Sequence, residues 1–169
     1  MIAAVWAKNI NNATERLKSR EEWDPMENVL PAELTNGAIL RSGEYAWEPS
    51  ALPAALKVAP NLGYACLGGQ FWFMLPDNSL YEPFWLEANS SDKSEEEAWS
   101  DFVERSCDEV LEAFKALLER TDFVEESSKF NSLEEPFRLM FNAYFVTEHQ
   151  FYRLGLHTIS SLREGLPQS

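Results

Sequence analysis

Histidine and cysteine are scarce in this chain, and bases are few relative to acids. Among 169 residues there are two His, two Cys and seven Gly, and 14 Lys plus Arg stand against 28 Asp plus Glu. Each shortage narrows the field. Cys66 and Cys107 allow one bridge at most, so a multi-disulfide framework is excluded, and two buried, reduced thiols are expected. His149 and His157 do not have the spacing of a ligand pair, and the cysteines stand alone, so neither a metal site nor a cofactor is expected. No glycine-rich loop ends in Gly-Lys-Ser or Gly-Lys-Thr, and Gly-x-Gly-x-x-Gly is missing. No run approaches the ~20 apolar residues that span a bilayer. The stretch Met1–Lys8 has no basic leader, so a cytoplasmic location is expected. A net charge of −14 disfavours nucleic acid and acidic membrane surfaces, whose binding draws on Lys and Arg. The favoured partners are a basic protein, a cation or a neutral small molecule.

What is present is apolar bulk and acid. Hydrophobic residues make up 45% of the chain, with six Trp and eleven Phe, enough for a real core. The length predicts one domain, residues 1–169. Residues 2–23 read as a helix on Trp6, Ile10, Ala13 and Leu17, with Lys8, Arg16, Lys18 and Arg20 against Glu15. Residues 37–47 read as a short strand flanked by Gly37 and Gly43. A short helix is predicted to start near residues 49–53 and to stop at Pro60.

Residues 63–75 give the strongest strand signal. Pro76-Asp77-Asn78-Ser79 supplies a turn, and Leu80–Leu86 a returning edge strand, so a hairpin is predicted over about 63–88. Its continuous apolar run implies cover on both faces. Ser94 and Glu97 match a capping box that opens a helix running to about Arg120. Residues 121–135 read as a short helix or loop. Residues 137–162 fit helix or strand, and their length favours helix.

The search for chemistry finds little. Gly68-Gly69-Gln70 resembles the catalytic tripeptide of class I peptide release factors, but it lies inside a strand pattern, where a β-bulge is the preferred reading. Neither cysteine has an identifiable base, and Cys107 is flanked by Asp108 and Glu109, which oppose a thiolate. Trp72, Tyr81, Phe84 and Trp85 would suit a sugar platform or a core. They carry the alternative reading, a small-ligand-binding protein or a hydrolase with its site near the aromatic hairpin.

One pattern rises above background. Between Asp92 and Glu126 there are 13 acids and 4 bases, a net of −9. With Trp99 at zero and ~100° per residue, Glu97, Asp101, Glu104, Asp108 and Glu112 fall between about 140° and 220°, away from the apolar side. Like charges at this spacing cost about 0.2–0.5 kcal/mol per pair. A solvated face and a docking surface for a basic protein both fit this stripe.

The acidic helix, with the aromatic hairpin Gly68–Phe73 to Tyr81–Trp85, resembles the bacterial immunity proteins that neutralise toxins, often basic nucleases. The likeness is one of type and carries no signature motif. It implies a cytoplasmic inhibitor that covers a toxin's active site. The expected fold is α+β, a helix-rich single domain with a small antiparallel sheet. The expected activity is non-enzymatic binding, with Glu97, Asp101, Glu104, Asp108 and Glu112 as the partner-binding residues.

Overall fold

The computed structural model describes residues 29–130 and 136–155. The segment 2–23 and His157 lie outside the described residues. The architecture is α+β, built on an antiparallel sheet as expected.

Strand β1 (Ala38–Arg41) and strand β2 (Glu44–Trp47) form a tight hairpin. One short strand was expected in this region. Ser42 and Gly43 both have positive φ, 51° and 82°, the backbone of a two-residue turn that reverses the chain and makes two strands. Helix α1 (Leu52–Val58) carries Pro53 in its first turn, and a 3-10 turn, Ala59–Leu62, follows it. This is the short helix anticipated before Pro60.

Strand β3 (Tyr64–Met74) is the long central strand, and it pairs along its whole length with β6 (Arg138–Thr147). The register runs from Tyr64 opposite Thr147 to Met74 opposite Arg138, with a bulge between Cys66 and Gly68. The bulge was the preferred reading of Gly68-Gly69-Gln70. It frees the Cys66 amide from the ladder, and the buried Ser106 hydroxyl accepts from it at 3.2 Å. Gly69 has no substitute, because a Cβ there would press on the Asn142 carbonyl and the Phe141 ring.

The returning strand is shorter than expected. β4 (Leu80–Tyr81) pairs with Phe73 and Met74, and β5 (Glu87–Asn89) pairs with Gly68–Gln70. Between them the chain leaves the ladder at Pro83, which has no N–H to donate, and Leu86 N–H closes a turn on the Pro83 carbonyl at 3.0 Å. Sheet order is β1-β2-β6-β3-β4, with β5 also beside β3.

Helix α2 (Trp99–Arg120) ends where the sequence predicted but begins later. Only half of the capping box forms. Ser94 N–H donates to Glu97 Oε2 at 3.3 Å, while Ser94 and Glu97 close a turn ahead of the helix. Helix α3 (Phe123–Ser128) is capped by Asp122, which accepts from Val124 and Glu125 amides.

Residues 137–162 correct the lean towards helix, because Arg138–Thr147 is strand. Alternation decides it: Phe141, Ala143 and Phe145 enter the main core, while Met140, Asn142 and Tyr144 point to the other face. Thr147 then caps helix α4 (Glu148–Arg153) in a full capping box with Gln150.

The main core lies between the sheet, α1 and α2. Phe71 stacks on Phe114 at 5.6 Å between ring centroids, and Phe141 meets both edge-on at 5.0 and 5.1 Å. Each such ring contributes about 1.5–3 kcal/mol on burial. The opposite side of the sheet carries Ala46, Trp72, Met74 and Met140, with Ile39 and Leu80 packed around them.

Candidate functional site

Helix α2 presents its acidic side to solvent, because its apolar positions all turn inward. Phe102, Val103, Cys107, Val110, Leu111, Phe114 and Leu117 are buried. Asp101, Glu104, Asp108 and Glu112 are exposed. Glu112 has a partner, Lys115 at 3.2 Å, in an exposed pair. Asp101, Glu104 and Asp108 have no ion pair among the described residues. Three carboxylates on consecutive turns thus remain uncompensated, and they keep most of the expected stripe.

Glu97 belongs to a different structure. It precedes the helix, so the helical angle used to place it does not apply. Arg105 grips it through two hydrogen bonds, Nε to Oε1 at 2.7 Å and Nη2 to Oε2 at 2.8 Å. Arg105 also reaches Glu109 at 2.9 Å and the Asp92 carbonyl at 3.1 Å. The guanidinium therefore clamps the 91–97 loop onto α2. Hydrogen bonding to Arg105 holds the Glu97 carboxyl below its ordinary range. Burial pushes Glu109 up, but the Ser91 amide and hydroxyl and Arg105 outweigh it, leaving it low as well. Arg105 lies one helical turn from both Asp101 and Asp108, a spacing that would allow it to pair with either. The structure assigns it to Glu97 and Glu109, which further strips the stripe of counter-charge.

The aromatic quartet does not form one platform. Trp72 is buried on the far side of the sheet, while Tyr81 packs on the main core against Phe130. Phe84 and Trp85, thrown outward by the Pro83 break, are about half exposed. Trp85 stacks on Phe130 at 5.9 Å, donates its indole N–H to Glu126 at 2.5 Å, and lies under the Lys129 ammonium. Trp72 and Trp85 therefore belong to separate clusters.

Neither thiol is prepared for chemistry. Both are free and buried. Burial raises Cys66 well above the ordinary thiol range, and raises Cys107 to about 11. His149 is exposed on α4, and no group of three metal-ligating side chains occurs among the described residues. None of the described helices is long and apolar enough to cross a membrane.

The sequence reading missed a polar patch on the far face of the sheet. Tyr144 donates to Glu44 at 2.9 Å. Burial first, and then the Glu44 carboxylate, raise both the Tyr144 phenol and the nearby Glu82. Beside them Gln70 Oε1, Trp72 Nε1 and Asn142 Oδ1 are buried without a hydrogen-bond partner among the described residues. Asn142 still donates to the Tyr45 carbonyl at 2.8 Å, which fixes its amide. The available signal was a single amide inside each of two apolar runs, Gln70 before Phe71 and Asn142 between Phe141 and Ala143. No protein-family model, curated protein or solved structure matches this chain.

Proposed function

We propose that this protein is a non-enzymatic binding protein that docks a basic protein through the exposed side of α2. We further propose that the partner is a toxin effector and that binding inhibits it, as in immunity proteins. The observation that carries this reading is the row Asp101, Glu104 and Asp108, exposed and without counter-ions among the described residues. A helix that repels itself at successive turns gains nothing in stability from doing so. The same row supplies a directed field, which speeds encounter with a positive partner and sets its specificity. Two further observations agree with binding. The thiols are held protonated, and the aromatic side chains that would suit a small-ligand cleft are divided between two clusters.

The test is capture from the native host with two baits, the wild-type chain and Asp101→Lys/Glu104→Lys/Asp108→Lys. A basic protein held by the first and lost from the second supports the reading, most directly one encoded by the adjacent gene. An identical set of proteins on both baits would overturn it.

A further inference from the structure

The break at Pro83 leaves two large aromatic side chains outside the core. Phe84 is 49% exposed and Trp85 is 48% exposed, adjacent in the turn between β4 and β5. Val124, 57% exposed, adds apolar surface on α3. Single exposed apolar residues are ordinary, but a pair of aromatics fixed in one turn marks a contact site. Trp85 is fixed by three groups. Its ring lies nearly parallel to Phe130, at 14° between planes. Its indole N–H is held by Glu126, and the Lys129 ammonium stands 5.4 Å from the ring centre. Glu126 also binds Lys129 at 2.7 Å, so one carboxylate secures both groups. A side chain held in place before encounter loses little rotamer freedom on binding. Tryptophan is also the residue type most enriched among those that dominate interface energies.

Charge says what covers this patch. Residues 82–87 and 119–129 together carry six acids and two bases, and Lys129 is spent on Glu126. Glu119 and Glu125 are exposed and have no ion pair among the described residues. A second copy of the chain, itself at −14, would be repelled from this rim. A segment that carries apolar side chains between lysines and arginines matches both the centre and the rim.

The patch is continuous with the acidic row of α2. Two residues, Thr121 and Asp122, separate α2 from α3. With Trp99 at zero and ~100° per residue, Glu119 falls at about 200° and extends the row of Asp101, Glu104 and Asp108. Arg105 and Glu109, which hold the loop that continues from β5, fall beside that row at about 240° and 280°. From Asp101 to Arg120 the axis runs about 29 Å at ~1.5 Å per residue. A contact of about 800 Å² per partner is roughly 30 Å across, so one partner spans both regions.

We propose that Phe84 and Trp85, with Val124, are the apolar anchor of this docking surface, and that they receive a basic segment with apolar side chains at its centre. The proposal rests on the reading that α2 attracts a basic protein, and adds where that protein is gripped. The acidic row speeds arrival, and the aromatic anchor slows departure.

The test titrates the full chain with three synthetic peptides. The first is Lys-Arg-Leu-Phe-Arg-Lys, the second has Ala-Ala in place of Leu-Phe, and the third has Glu in place of every base. The readout is the NMR signal of the Trp85 indole N–H, assigned with Trp85→Phe. The first peptide should shift that signal and bind about tenfold or more tightly than either of the others, and Phe84→Ser should remove the advantage over the second. Equal affinity for the first two peptides, binding of the first that leaves the Trp85 signal unmoved, or no binding at millimolar peptide would overturn the proposal. If Phe84→Ser fails to fold, Glu125→Lys decides, since it keeps every aromatic in place. It should weaken the first peptide, and unchanged affinity would overturn the proposal. The backbone amides of Asp101, Glu104 and Asp108 report separately on α2. If the second peptide shifts them while the first gains nothing at Trp85, the anchor fails and the reading of α2 stands. If neither basic peptide moves them, the reading of α2 fails on its own signal.

Discussion

Arg105 is the residue on which local order at the start of α2 depends. Its guanidinium binds Glu97 and Glu109 and the carbonyl of Asp92, and stands 5.4 Å from the Phe102 ring centre. About a third of the side chain is in water, which screens the pairs, so Arg105→Ala should cost about 1 kcal/mol. The pH dependence follows from Glu97 and Glu109, whose folded-state pKa values lie below the ordinary 4.5. A lowered carboxylate pKa stabilises the fold above the unfolded value, and that contribution is lost as pH falls through the folded one. Urea unfolding at pH 7 should therefore show the full gap between wild type and Arg105→Ala, and at pH 3, below the ordinary carboxylate range, the gap should be smaller. A gap of equal size at both pH values would mean that packing on Phe102 carries the effect.

Elements differ in how openly the sequence declares them. Helix α2 was legible because its apolar period persists over 22 residues, longer than any strand pattern could imitate. Strand β3 was legible from its aromatic run, and its bulge from Gly68 and Gly69. Strand β6 was not, because Phe137 to Phe145 satisfies both periods and its partner, β3, begins more than 70 residues earlier. The far-face patch was hidden for the same reason. Glu44, Gln70, Asn142 and Tyr144 become neighbours only once β2, β6 and β3 take their register. On α2, the repulsion inferred from spacing makes its own prediction. Asp108→Lys replaces two like-charge neighbours, Glu104 and Glu112, with two attractive i,i+4 pairs, worth about 1 kcal/mol in total. Thermal unfolding at low salt should move up by a few degrees, and the gain should shrink at high salt. A loss of stability would contradict the solvated, self-repelling face.

For the molecule as a whole, charge separates fold from function. The core is apolar and aromatic, and the acidic surface adds repulsion to the fold rather than support. The net charge of −14, with −9 of it between Asp92 and Glu126, bears on encounter with other molecules. That a basic partner would suit this surface could be read from composition. Which carboxylates stay free for it could not, because Arg105 chooses Glu97 and Glu109 through a loop whose path depends on the tertiary structure. The decisive measurement is the association rate of the captured basic partner with wild type and with Asp101→Lys/Glu104→Lys/Asp108→Lys, at about 0.02 M and about 0.3 M salt. A steered encounter predicts that the wild-type rate falls about tenfold or more with added salt, and that the variant is slow at both concentrations. Equal rates for the two proteins at low salt would contradict the claim that this helix face receives the partner.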